Sequence, residues 1–292
     1  MLCFPRPSHP ALTLRPPSRP PARPHARTHA RTHARTHARA HAPSFEWTAD
    51  DRKPTLPVAE ITQFPSVLVA LGTQQRRQQD GAGGAGGAGG AGGAGLGGGG
   101  RAEVVDEFDS FVRPTLNPAL SPFATRLTGI EQADVDAAPP IDEVLRRYLA
   151  WLRGHGLVDA EGRRAKHWAL VTWSDADAIT LFTELRHKGL TFPPAFDRWV
   201  NLKDDAVFAR HFGWAPHGGL EHCVNSIAPG LVRWEGRAHN GLVDSQNTAK
   251  IAVHMANTGF RFVRFTRGLD ARGVPFGLAV PPAPSRSADD DD

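Results

Sequence analysis

Cysteine is nearly absent from this 292-residue chain, with Cys3 and Cys223 its only two. Two thiols so placed cannot make the disulfide framework of a small secreted domain, and no Cys-x-x-Cys spacing offers a zinc site, so a reducing compartment is expected. Long apolar runs are lacking too. None approaches the roughly 20 residues needed to cross a bilayer, and the N-terminus has no continuous apolar core of a secretory signal. A cytoplasmic or nuclear location without membrane contact is the expectation.

Acidic residues are missing from the first 43 positions, which hold eight arginines. The formal charge of +4 and the pI near 9.5 therefore belong to that tail, while the remainder holds 26 basic against 30 acidic residues. A nucleic-acid function must consequently be argued from a site and not from bulk charge.

Residues 1–22 are rich in Pro and Arg, and a His-Ala-Arg-Thr unit then repeats from His25 to about Ala40. The five histidines His25, His29, His33, His37 and His41 recur at one spacing, but a flexible tail must lose backbone entropy to gather them round a metal. The segment is Arg-rich and acid-free like a transit peptide, yet it has few Ser and no amphipathic apolar face. Its strict period resembles a translated short-period nucleotide repeat. Residues 1–43 are accordingly expected to be a disordered tail, with globular sequence starting at Ser44.

Alternating and apolar stretches predict strands at 45–48, 60–71, 104–112, 167–173 and 199–202. Helical spacing predicts helices at 141–153, 176–187 and 219–227, and one starting at Asp244 or Ser245 and stopping at Gly259. The Gly/Ala run 81–100 reads as a flexible insert in a hairpin. Three strands in series followed by alternating strand and helix give an α/β domain with a mixed central sheet, 44–268. Residues 269–292 read as a second tail, ending in four aspartates.

The polar run 236–259 carries the chemistry. A histidine on a Gly-flanked loop, His239, precedes by five residues a carboxylate on a helix, Asp244. The carboxylate can bind a metal while the imidazole takes a proton from water, though a surface histidine and a helix cap would look the same.

Further runs bear on that choice. Arg113-Pro114, Asn117-Pro118, Leu120-Ser121, Leu127-Thr128-Gly129-Ile130, Gln132 and Val135 are followed by Trp173-Ser174 and Phe196-x-x-Trp199-x-Asn201-Leu202. Gly236-Arg237-Ala238-His239 and Asp244-Ser245-x-Asn247-Thr248-Ala249 complete the series. In this order, across nearly all of 44–268, they resemble the DEDDh 3′→5′ exonucleases, in the branch that trims RNA 3′ ends and is named for enhanced RNA interference.

The resemblance implies a ribonuclease H-like fold, a metal-dependent hydrolase and RNA as partner, through single-stranded 3′ ends or stem ends. It implies Mg²⁺ or Mn²⁺, two ions roughly 3.5–4 Å apart on carboxylate oxygens. Carried over, the metal-binding acids fall on Glu46, Asp177 and Asp244, and the histidine base on His239. Asp175 rivals Asp177, which keeps the better spacing to Leu181 and Phe182. Phe45, Trp47, Thr128, Gly129 and Ile130 fall beside the terminal nucleotide. Three departures stand out: Ser44 occupies the place of the first acid, Ala176 stands where this branch often has Trp, and Trp47 stands where the family has Ala, a bulk that would crowd the 3′ nucleotide.

Overall fold

The structure, a computed structural model, describes residues 39–52, 55, 57–72, 101–165, 168–227, 232–262, 265–270 and 272–277. The expected tail before residue 39, the Gly/Ala insert 81–100 and the acidic end 278–292 lie outside these residues, as do His25, His29, His33 and His37. In chain order the strands are β1 (Arg39–Pro43), β2 (Glu46–Trp47), β3 (Ile61–Gln63), β4 (Ser66–Ala70), β5 (Glu103–Phe108), β6 (Trp168–Thr172), β7 (Arg198–Asn201), β8 (Arg267–Leu269) and β9 (Pro275–Gly277). The helices are α1 (Pro122–Thr128), α2 (Gln132–Asp136), α3 (Ile141–Gly154), α4 (Ala176–His187), α5 (Phe208–Phe212), α6 (Leu220–Ser226) and α7 (Gly241–Asn257).

Seven strands form a mixed sheet in the order β5-β4-β1-β6-β7-β8-β9, with β2 and β3 paired beside it. β1 runs antiparallel to β4 and parallel to β6, and β6 runs parallel to β7. β4 and β5 pair antiparallel, so the glycine-rich segment joins neighbouring strands of one sheet.

Two expected boundaries are corrected. The tail was to end at residue 43, yet β1 is built from the last unit of the repeat and lies between β4 and β6. Period-two alternation explains how so plain a sequence serves there. Ala40 and Ala42 join the core under α7, with Val67, Val69, Ile251 and Ala252. On the opposite face His41 meets Tyr148 and Trp168. At the other end the domain does not close at 268, because β8 and β9 extend the sheet as an antiparallel pair. The expected single strand 60–71 is two strands, β3 and β4, separated at Phe64 and Pro65.

His41 is wholly buried, with Nδ1 2.8 Å from the Tyr148 hydroxyl and 3.3 Å from that of Ser66, while Nε2 has no partner. Burial, then the Arg164 charge, hold the imidazole well below its ordinary pKa of 6.5. Folded and unfolded His41 are both neutral above that value. Below it only the unfolded chain takes the proton, so His41 costs stability as pH falls, at up to about 1.4 kcal/mol per pH unit. Urea midpoints at pH 7 and pH 5 are expected to show a deficit growing toward pH 5 in the parent relative to His41→Leu.

A second buried group positions the loops around the cleft. Lys188 Nζ lies 2.7 Å from both Glu60 Oε1 and Glu184 Oε1. Glu60 also accepts the backbone N–H groups of Thr115, Leu116 and Asn117, while Glu184 Oε2 accepts that of Ile61. Burial pushes Glu60 up, but Lys188 and those three N–H groups outweigh it and hold the carboxyl at about 2. Lys188→Met would leave two buried carboxylates without a counter-ion. Its expected cost at pH 7 is about 3–5 kcal/mol by urea unfolding. The Glu60 share of that loss shrinks as pH drops from 4.5 toward 2, where the parent protonates this carboxylate too.

Candidate active site

Three chain segments converge at the C-terminal end of β1. The first is the strand exit Ser44 to Trp47, the second the start of α4, and the third the start of α7. Phe45 donates its backbone N–H to Asp177 Oδ1 at 2.7 Å, binding the strand exit to the first turn of α4. Asp175, the rival position, is engaged elsewhere: Oδ1 accepts Trp199 Nε1 at 2.9 Å and Asn201 Nδ2 at 2.8 Å, and Oδ2 faces Arg267. Its work is to join α4 to β7, whereas Asp177 is 6% exposed on the strand-exit side.

α7 begins three residues before the expected Asp244. Asn240 caps it, its side chain accepting the Val243 N–H at 3.1 Å, a standard use of asparagine at this position. Asp244 therefore sits inside the first turn. The Gly241 N–H donates to Gln63 Oε1 at 3.0 Å, and Gln63 Nε2 donates to Asp109. A Cβ on Gly241 would lie 2.8 Å from the Ser44 carbonyl oxygen and 3.0 Å from Pro65, so only glycine lets the helix press on the strand exit. His239 has φ 61°, the one non-glycine residue with positive φ among those described. Such a conformation in a side chain with a β-carbon is sparsely populated and marks a position the surroundings dictate.

These placements bring ligand atoms of Glu46, His239 and Asp244 within 4.8 Å of one another. Asp177 stands outside that triplet, but its charge is felt at Glu46. Burial, then the Asp244 and Asp177 carboxylates, push Glu46 up to about 8, with Arg237 drawing it back. Burial likewise raises Asp177 to about 7 against the Phe45 N–H, and Asp244 to about 6 against the His239 N–H. Asp244 Oδ1 is buried and has no hydrogen-bond partner. Three crowded carboxylates and an orphaned oxygen, facing an imidazole, are what a hard divalent cation would satisfy.

The expected substrate contacts fall into two groups. Phe45 is a core residue, its ring tilted against that of Phe64 with centroids 4.3 Å apart, and its backbone N–H is what it gives to Asp177. Trp47 is half-buried and packs against the core that holds Phe45 and Phe64. Thr128 and Ile130 are buried: the Thr128 hydroxyl donates to Ala124 O and accepts the Ile130 N–H. Of the 128–130 wall, only Gly129 is exposed, and it ends α1 in the left-handed conformation. Sequence reading missed Gln63, Asn240 and Gly241 as positioning residues. Only Asn240 carried a signal, being of capping type just before the helix.

Comparison with known proteins bears on the family and the fold. The RNase T exonuclease family model matches residues 97–252, a stretch that holds Asp177, His239 and Asp244 and leaves Glu46 outside. ERI1 exoribonuclease 2 of Danio rerio is 39% identical over 166 residues, which are 53% of this chain and 29% of that protein, so the chain spans under a third of that relative's length. The structure of the nuclease domain of 3′hExo, a DEDDh family member bound to rAMP, superposes with a TM-score of 0.62 at 25% identity, over 80% of this chain and 99% of that one. A structure on 3′-end specific recognition of the histone mRNA stem-loop by 3′-exonuclease gives 0.64, also at 25% identity, over 84% and 73%. On fold, site and sequence together, the chain belongs to the exonuclease family, in the ERI1 branch of its DEDDh 3′→5′ members.

Proposed function

We propose that this chain is a divalent-ion-dependent 3′→5′ exoribonuclease that removes nucleotides from RNA 3′ ends, single-stranded or at the end of a stem. The observation that carries the proposal is the convergence of Glu46, His239 and Asp244 around an unpartnered carboxylate oxygen. Glu46, Asp177 and Asp244 would hold Mg²⁺ or Mn²⁺, two ions being expected from the family pattern. Such ions, when bound, make water a nucleophile near neutral pH and offset charge on the phosphate. His239, exposed on its loop, takes the proton from the attacking water. Asp177 is fixed by the Phe45 N–H, and Asp244 by its helix turn, so neither has to reorganise as the phosphodiester opens. Base stacking is worth about 1–3 kcal/mol where it occurs, and Ala176 offers no surface for it.

Ser44 favours a second reading, an RNA 3′-end binder that does not cut, because a hydroxyl in place of the first acid is a poor ligand for a hard cation. One experiment separates the two. The full chain is incubated with 5′-labelled RNA and Mg²⁺ or Mn²⁺, and the expected result is a ladder shortening from the 3′ end that EDTA abolishes. Intact RNA bound by folded protein would favour the second reading, and RNA neither bound nor shortened would overturn both.

A further inference from the structure

Arg237, in the Gly236–His239 run, neither offers a metal ligand nor moves a proton, and in the cluster it acts only through its charge on Glu46. Its guanidinium crosses from the loop before α7 to the end of α1. Nη2 donates to the Arg126 carbonyl oxygen at 2.7 Å. Nη1 and Cζ lie 2.6 and 3.3 Å from where a Cβ on Gly129 would stand, so the flat group rests on the glycine face. Gly129, at φ 78°, caps α1 through its N–H on Thr125 O at 2.8 Å, so its position is set by the helix and not by the arginine.

The His239 loop is held on its other side by α7. A Cβ on Gly236 would lie 2.8 Å from the Val243 methyl groups, and Asn240 caps the helix itself. Toward the 128–130 wall, Arg237 supplies the hydrogen bond that crosses. We propose that Arg237 is a positioning residue, a latch that ties the end of α1 to the His239 loop and so shapes the cleft gripping the 3′-terminal nucleotide of RNA. The inference rests on the exonuclease reading above. Lysine could not replace it: a guanidinium is planar, lies flat on the Gly129 backbone and donates sideways to Arg126 O at the same time, whereas an ammonium is a point charge on a flexible stem. Displacements of about 1 Å between a substrate wall and a reacting group can cost on the order of a hundredfold.

The test uses the full chain as wild type, Arg237→Met, Arg237→Lys and Gly129→Ala. KM and kcat are read on 5′-labelled RNA, and 3′-end binding by fluorescence anisotropy in Ca²⁺. Mn²⁺ uptake by calorimetry and urea midpoints report the metal site and the fold. Both Arg237 variants are expected to weaken RNA binding and raise KM about tenfold, with a smaller fall in kcat; Mn²⁺ uptake should hold in Arg237→Lys and weaken only slightly in Arg237→Met, which removes the charge that draws Glu46 down. Gly129→Ala keeps the arginine but drives its guanidinium away, and should move KM in the same direction.

Wild-type behaviour in Arg237→Lys beside a weakened Arg237→Met would mean that charge alone acts and would overturn the latch. Unchanged binding in both variants would overturn it as well. If wild type binds RNA without cutting, the anisotropy decides the latch alone. If wild type neither binds nor cuts, the exonuclease reading itself has failed and the latch falls with it.

Discussion

Asp244→Asn is expected to lower RNA 3′-end cleavage about a thousandfold while making the ion-free protein more stable. The opposite signs come from one side chain. Asp244 Oδ1 is buried without a hydrogen-bond partner, and its carboxylate adds to the repulsion that pushes Glu46 to about 8. Ion-free, the folded protein holds Glu46, Asp177 and Asp244 at pKa values of about 8, 7 and 6, all above their ordinary ones. Folding thus binds protons: the contribution of these groups is fully present below pH 4 and is lost as pH rises through 6 to 8. The amide removes one charge from the cluster at little change of shape. The ion-free melting temperature should therefore rise at pH 8, each kcal/mol gained appearing as about 2–4 °C.

A divalent ion needs those carboxylates ionised, so Mn²⁺ affinity in the parent should increase with pH across the same interval. In Asp244→Asn both the affinity and its pH dependence should fall. Loss of one ligand charge is worth several kcal/mol of ion binding and transition-state stabilisation, about 4 of which correspond to the thousandfold drop in rate. Calorimetry at pH 6 and 8 and the RNA ladder assay check the two halves separately. A variant that is neither stabilised nor impaired in ion uptake would remove Asp244 from the site.

How much of this was legible in the sequence depended on local signals. Apolar spacing predicts α4 at 176–187, as found, because that spacing and an acidic first turn act within the helix itself. β6 was equally plain, a five-residue run buried throughout. β1 was hidden because strands are recognised by β-branched and aromatic residues, and Arg39–Pro43 has none. What makes it a strand is long-range: β4 and β6 supply hydrogen bonds on both edges, and α7 comes close because only alanines face it.

The site divided in the same manner. Asp177 and Asp244 could be located from their helices, and His239 from its loop. The convergence of Glu46 with His239 and Asp244 was implied by the resemblance and by no local pattern, since it depends on Gly241 touching the Ser44 backbone and on Gln63 reaching the start of α7. Nor did any local pattern show the burial of the Phe45, Thr128 and Ile130 side chains, which pack into the fold. A resemblance transfers residue types along the chain, whereas exposure is settled by what the rest of the fold places against each one.

Ser44→Asp is expected to raise cleavage at least about a hundredfold over the parent chain. Position 44 lies between the end of β1 and Phe45, whose N–H holds Asp177, and two residues before Glu46. Its carbonyl faces Gly241 at the start of the helix that carries Asp244. A carboxylate introduced there is expected to join the three acids already present, where a hydroxyl contributes no charge to a hard cation. Without ions it should add to the repulsion, lowering the melting temperature most at pH 8, where all four acids must ionise. With Mn²⁺ that deficit should close, since the ion binds the folded state alone and stabilises by mass action.

The two readouts together are diagnostic. A gain in Mn²⁺ uptake with faster 3′ shortening identifies Ser44 as the gap in a metal site. A gain in uptake without cutting would leave the chain an RNA 3′-end binder limited by something beyond its acids. No change in either would show that the side chain at 44 does not face the cluster, and the parent protein's activity would then rest on Glu46, Asp177 and Asp244 alone.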